Sequence, residues 1–254
     1  MGYHVIEEAG FKYVDVGQGE TIMLLHGLFG ALSNWDTVIS DLKEKYRVVI
    51  PIMPIFEISI KSASIDGLTN YVEGFVNLKK LENLTIVGNS LGGHVGLVYT
   101  LRNPAKVKRL ALTGSSGLFE NSMGGSFPKR GSYEYIREKV AYTFYNPATA
   151  TNELIDEVVN IVKDISKCIR IIAIARSAQR HNMAHDIGKI KAPTLLIWGL
   201  NDTITPPAVA HEFNTLIENS TLHFIDKCCH APMMEHPKKF NKLFLGFLED
   251  HPLQ

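Results

Sequence analysis

The chain has 254 residues, enough to bury a large core, and its 26 basic and 26 acidic residues cancel to a formal net charge of zero. That balance argues against nucleic acid as the main partner, and three cysteines, two of them adjacent at Cys228 and Cys229, make no disulfide framework. No secretory leader opens the sequence and no apolar run reaches membrane-spanning length, since residues 48–60 are interrupted by prolines and Glu57; a cytoplasmic protein is expected.

Two short strands, 3–8 and 11–16, open the chain as an antiparallel pair. A strand at 21–26, an amphipathic helix at 35–45 and a strand at 47–53 follow. A helix near 67–80 precedes the apolar strand 84–87, a helix spans 91–102, and another strand covers 107–113. Such alternation predicts a mainly parallel central sheet flanked by helices on both faces. The strand signal then stops. Small-residue loops, Gly114-Ser115-Ser116-Gly117 and Met123-Gly124-Gly125-Ser126, lead into helical stretches near 133–144, 152–164 and 166–179. Residues 117–190 therefore read as a helical cap inserted into a core made of 1–116 and 191–254. Strand and helix return at Pro193, with buried strands at 194–199 and 221–225.

The chemistry concentrates where strands end. Gly88-Asn89-Ser90-Leu91-Gly92 joins a strand directly to a helix, which forces Ser90 into a sharp turn at the carboxyl edge of the sheet. The helix that follows aims its first amides at charge developing beside the serine. Asp202 and His230 also lie just past strand ends, on the edge where a parallel sheet gathers its functional loops. Their order supplies a base for the serine in His230 and an orienting carboxylate in Asp202. A glycine-bearing turn, His26-Gly27-Leu28-Phe29-Gly30, offers the amide of Leu28 (or of Phe29) to pair with that of Leu91 around an oxyanion.

These motifs, with Trp198-Gly199-Leu200-Asn201-Asp202 and Cys229-His230 followed by Glu235-His236, resemble the α/β-hydrolase superfamily across nearly the whole chain. Within it the sequence is similar to the branch of meta-cleavage-product (carbon–carbon bond) hydrolases and related carboxylesterases. Asn89, where most relatives carry histidine, resembles the former. The resemblance implies an α/β-hydrolase fold, no cofactor, no metal, a small-molecule substrate, and substrate contacts from Phe29, Asn89 and Ala231; a homodimer is left open. Two departures stand out. Residues 51–59 read Pro-Ile-Met-Pro-Ile-Phe-Glu-Ile-Ser where the family pattern has an acidic residue and two glycines. Ala231 follows His230 where carbon–carbon hydrolases carry tryptophan, and residues 141–167 contain no cap arginine.

Blander roles are assigned elsewhere. His26 packs the oxyanion turn, His94 is a core histidine, and Cys229 packs beneath His230. His181 and His185 have the spacing of a helical metal pair without a third ligand nearby. The apolar cluster Ile55, Phe56, Ile58 and Ile60 reads as core, with a pocket entrance as the alternative. The sequence thus predicts a cofactor-independent serine hydrolase of a small or medium apolar ester. Cleavage of meta-cleavage-type diketones is one alternative, and a small-molecule receptor on the same scaffold is another.

Overall fold

The computed structural model describes residues 3–30, 35–121 and 131–253. Among them, eight strands form one sheet: β1 (Ile6–Glu8), β2 (Phe11–Val16), β3 (Thr21–Leu25), β4 (Arg47–Pro51), β5 (Leu84–Asn89), β6 (Val107–Thr113), β7 (Thr194–Gly199) and β8 (Ser220–Ile225). Their spatial order is β1-β2-β4-β3-β5-β6-β7-β8. β1 and β2 pair antiparallel, as do β2 and β4, and every later pair is parallel. The order doubles back once, between β4 and β5, because β3 lies between them. The carboxyl edge beside that reversal is where open α/β sheets place their sites.

Alternate residues of each central strand feed opposite faces. Met23 and Leu25 of β3 pack with α2 (Ile65–Leu78) and α3 (Leu91–Arg102), whereas Ile22 and Leu24 pack with α1 (Asp36–Leu42) and α9 (Pro237–Asp250). Both faces are therefore covered, and β5 is buried along its full length. Between β6 and β7 lie α4 (Tyr133–Ala141), α5 (Asn152–Lys163) and α6 (Ile165–Arg180). Asp164 ends α5 and caps α6 by accepting the Lys167 amide, which turns the chain between them without a linker. α4 and α5 add Ile136, Val140, Val158 and Val162 to the core beside α1 and α9, while α6 adds Ile171, Ile174 and Ala178 on the α2 side. After β7 come α7 (Pro207–Leu216) and the single turn α8 (Pro232–Glu235). None of these helices is long and apolar enough to cross a membrane.

Among the element ends that differ from expectation, three have visible tertiary reasons. β1 starts at Ile6, because only Ile6–Glu8 find partners on β2 across the positive-φ turn Ala9-Gly10. β4 ends at Pro51, and the Met53 amide is taken by the His26 side chain at 3.1 Å. α4 stops at Ala141 because the Thr143 carbonyl accepts the His230 amide at 3.1 Å. The altered segment 51–59 divides its apolar residues. Met53 and Ile55 are buried, Phe56 and Ile58 pack half-buried against them, and Ile60 is half exposed. The glycine-rich loop Met123-Gly124-Gly125-Ser126 lies outside the described residues.

One buried charge locks the amino edge of the sheet. Arg109, on a strand expected to be simply apolar, is 1% exposed. Its guanidinium donates to Thr85 Oγ1 at 2.8 Å, to the carbonyls of Leu248 and His251 at 3.3 and 2.9 Å, and to Glu20. It thereby ties β5, β6 and the end of α9 together. Arg109→Ala leaves the buried Thr85 hydroxyl and Leu248 carbonyl without this donor, while the Glu20 side chain is 37% exposed and can be hydrated, so a loss of about 1–3 kcal/mol is expected; urea unfolding followed by tryptophan fluorescence measures it. A loss below 1 kcal/mol would show that the cluster contributes no net stability.

Candidate active site

Ser90 sits between β5 and α3 with φ 54° and ψ −121°, a conformation that an L-residue reaches only when its surroundings impose it. The constraint is visible in the backbone. The Ser90 amide donates to Thr113 O at 3.1 Å, and the Ser90 carbonyl accepts the amides of His94 and Ser116 at 3.2 Å each. Close packing does the rest: a Cβ at Gly92 would fall 2.2 Å from Leu25 O and 2.7 Å from His26 O. Only glycine lets the first turn of α3 approach the end of β3 so closely.

Asp202 and His230 meet across the ends of β7 and β8. His230 Nδ1 lies 2.9 Å from Asp202 Oδ2 and 3.2 Å from Oδ1. The Asp202 side chain is fully enclosed, with Oδ1 accepting the amides of Ile204 and Thr205 at 2.8 and 3.0 Å and Oδ2 accepting the Thr205 hydroxyl at 2.9 Å. With the carboxylate so held, Nδ1 carries the hydrogen toward it and Nε2 is left as the basic nitrogen. Burial opposes the charged imidazolium, but the charge and hydrogen bond of Asp202, aided by Glu120, outweigh it and raise the pKa of His230.

The histidine loop is gripped from several sides. Asn89 Nδ2 donates to Thr113 O at 3.0 Å and to His230 O at 3.2 Å. Glu235 accepts the Cys229 amide on one oxygen, at 2.7 Å, and the amides of Tyr145 and Asn146 on the other, at 2.7 and 3.2 Å. A single carboxylate thus joins the histidine loop to the segment after α4. The link was missed in the sequence because its partners are backbone amides, which leave no pattern there. The Ser90 hydroxyl makes no hydrogen bond among the described residues. Its connection to the Asp202–His230 pair runs through Thr113 O and the Asn89 amide, and apo sites commonly tighten the serine–histidine contact only when substrate binds.

The proposed oxyanion turn lies beside the serine. A Cβ at Gly27 would stand 3.4 Å from Ser90 Cβ. His26 Nδ1 donates to Gly27 O at 2.9 Å and Nε2 accepts the Met53 amide, so burial lowers the pKa of His26 and it serves as a neutral brace. Leu28 and Phe29 are half-buried, and Leu91 heads α3, where the first amides have no partner within the helix. The expected substrate contacts differ in their surroundings. Asn89 is buried with its amide committed to backbone carbonyls, and Ala231 is buried in the core ahead of α8. Phe29 packs at the junction of the two core faces.

His94 and His181, expected to be a core histidine and half of a metal pair, form a pair with each other: His94 Nε2 stands 3.0 Å from His181 Nδ1. Burial and the neighbouring imidazole push the pKa of His94 down to about 3. Among the described residues no group of three or more His, Cys, Asp or Glu side chains is arranged to hold a metal.

A mainly parallel sheet with a serine on a strained strand-to-helix turn and a His–Asp pair at neighbouring strand ends defines a hydrolase class, and the comparisons agree. The family model described as alpha/beta hydrolase fold matches residues 20–152 and 166–237, and the chain belongs to that family. It is 40% identical to MGS-MChE2, an alpha/beta hydrolase enzyme from the metagenome of sediments of the Mar Chica lagoon, Morocco, with a TM-score of 0.80 over 97% of this chain and 98% of that one. It is 25% identical to the meta-cleavage product hydrolase CumD of Pseudomonas fluorescens IP01, with a TM-score of 0.84 over 98% of both chains. A Pseudomonas putida protein named 2-hydroxy-6-oxononadienedioate/2-hydroxy-6-oxononatrienedioate hydrolase 2 is 27% identical, covering 93% of this chain and 91% of its own. The chain is an enzyme of the hydrolase class.

Proposed function

We propose that the enzyme hydrolyses carbon–carbon bonds in meta-cleavage-type diketones, with Ser90 as nucleophile, His230 as base and Asp202 as its orienting carboxylate. The observation that carries the catalytic assignment is the 2.9 Å Asp202–His230 pair, tied by a hydrogen bond to Asn89, the residue preceding Ser90. Relatives named for this chemistry, matching over nine-tenths of the chain, support the choice of bond.

In this scheme the dienol substrate first ketonises, giving a ketone whose leaving carbon can accept an electron pair. Ser90 Oγ adds to the carbonyl carbon, its proton passes to His230 Nε2, and the oxyanion lies against the amides of Leu28 and Leu91. One such donor contributes about 3 kcal/mol to transition-state binding. The carbon–carbon bond breaks, His230 returns the proton to the departing carbon, and water releases the acyl group from Ser90 by the same assignments reversed.

Ester hydrolysis is the second reading, and two observations favour it. Ala231 occupies the place after His230 where the sequence resemblance leads one to expect tryptophan. Arg170 is committed to Ile58 O at 2.6 Å and to Ser166, so its guanidinium braces α6 against the 51–59 segment. Turnover of a 2-hydroxy-6-oxo dienoate, followed by loss of its chromophore, compared with turnover of p-nitrophenyl butyrate decides between them. We expect the higher kcat/KM for the dienoate. The opposite ranking would select the esterase. Tight retention of either compound without turnover would select a receptor.

A further inference from the structure

His230 is held by its backbone as well as by Asp202. Its amide donates to Thr143 O at 3.1 Å, and its carbonyl accepts Asn89 Nδ2 at 3.2 Å. The amide before it, that of Cys229, donates to Glu235 Oε1 at 2.7 Å. Glu235 ends α8, and its own amide donates to Ala231 O at 3.0 Å. Side chain and main chain of one residue thus close the 229–235 backbone on itself with His230 inside the closure, much as a capping box closes the first turn of a helix. The second carboxylate oxygen reaches outward. Glu235 Oε2 accepts the amides of Tyr145 and Asn146 at 2.7 and 3.2 Å, just past the Thr143 that holds the His230 amide. The place calls for two acceptors, because three N–H groups converge on it and a donor would repel one set of them. Beside the carboxylate the two segments face each other across a cavity of about 390 Å³, with Tyr145, Asn146 and Pro147 on one wall and Lys227 and His236 on the other. Close packing therefore does not join them on that side, and the carboxylate spans the gap.

We infer that Glu235 is a positioning residue, whose carboxylate sets His230 in register with Asp202 by tying the histidine loop to the segment after α4. The inference rests on the proposed role of His230 as base, and Glu235 acts through backbone rather than on substrate. His230 rides on a loop between β8 and α8, so its ring is placed only as well as the backbone on either side of it is fixed. Releasing the Cys229 amide frees one of those sides. A misplacement of about 1 Å at a reacting group can cost about 100-fold in rate. Substrate binding does not pass through this carboxylate, so the loss should fall on the chemical step.

Labelling of Ser90 by an alkyl fluorophosphonate, followed by intact-protein mass and resolved into kinact and KI, tests this without a known substrate. Glu235→Gln keeps the shape but turns an NH2 toward one set of amides. Glu235→Asp keeps the charge but is one methylene too short to reach both sets. Each should lower kinact about 100-fold and leave KI within about threefold. A merely structural defect would lower labelling by the same factor in any background, so both changes are repeated in Asp202→Asn. There the register is already broken, and Glu235→Gln should cost less than about threefold. Circular dichroism establishes that each variant is folded at the assay temperature; if Glu235→Gln does not fold, Glu235→Asp carries both comparisons. Unchanged kinact in the folded variants, an equal loss in the two backgrounds, or failure of both variants to fold overturns the inference while leaving the hydrolase reading intact. If wild type is not labelled at Ser90, the hydrolase reading falls and the inference falls with it.

Discussion

Ser90→Ala should reduce kcat about 10⁶-fold with little change in substrate affinity, because it deletes the attacking oxygen and nothing that binds the ground state. The Cβ is retained, so the backbone stays at φ 54° and its supports from Thr113, His94 and Ser116 remain. Intact-protein mass after fluorophosphonate treatment should show one adduct on wild type and none on the variant. Ser90→Gly adds a second, opposite readout. Glycine relaxes the strained dihedral, so the inactive protein should be about 1 kcal/mol more stable than wild type. A rise in unfolding midpoint alongside lost activity would show that strain at the turn is maintained for function. Residual activity above about 1% in Ser90→Ala would remove the serine from the mechanism altogether.

Asp202→Asn should lower kcat about 10⁴-fold, since an amide neither holds the hydrogen on Nδ1 nor stabilises the imidazolium. The accompanying pH shift has a definite sign. His230 must be neutral to accept a proton, and its pKa is raised above the ordinary 6.5. The wild-type kcat/KM profile should therefore fall on acidification through a pKa above 6.5. In Asp202→Asn the burial that lowers this pKa remains while the carboxylate that raises it is gone, so the acidic limb should move to lower pH. Parallel profiles of wild type and variant, measured as kcat/KM, check this. An unmoved limb would mean that another group controls the titration. Glu120 is the alternative to test, since it also raises the pKa of His230.

The division between what is legible in the chain and what is not follows the range of the interactions. Alternation of apolar runs, with glycines around Ser90, determined the αβ order, the mainly parallel sheet and the positions of Ser90, Asp202 and His230 at strand ends, because these depend on neighbours within a few residues. The extents of α3, β6 and β7 were readable for the same reason. Contacts between distant segments were not. The resemblance implied a substrate contact for Asn89, but the place of this residue next to the serine says nothing of what holds its side chain. Folding spends its amide on Thr113 O and His230 O, 24 and 141 residues away. Arg109 read as an interruption in an apolar strand until Thr85, Glu20 and two carbonyls near the C-terminus gathered around it. Glu235 acquires its role in the same way, through groups brought together only when the sheet closes its carboxyl edge. A buried polar group must find its partners wherever the tertiary structure supplies them. The sequence alone therefore determined the fold class and the order of the candidate triad. The tertiary structure decided which carboxylates and amides hold that triad in place.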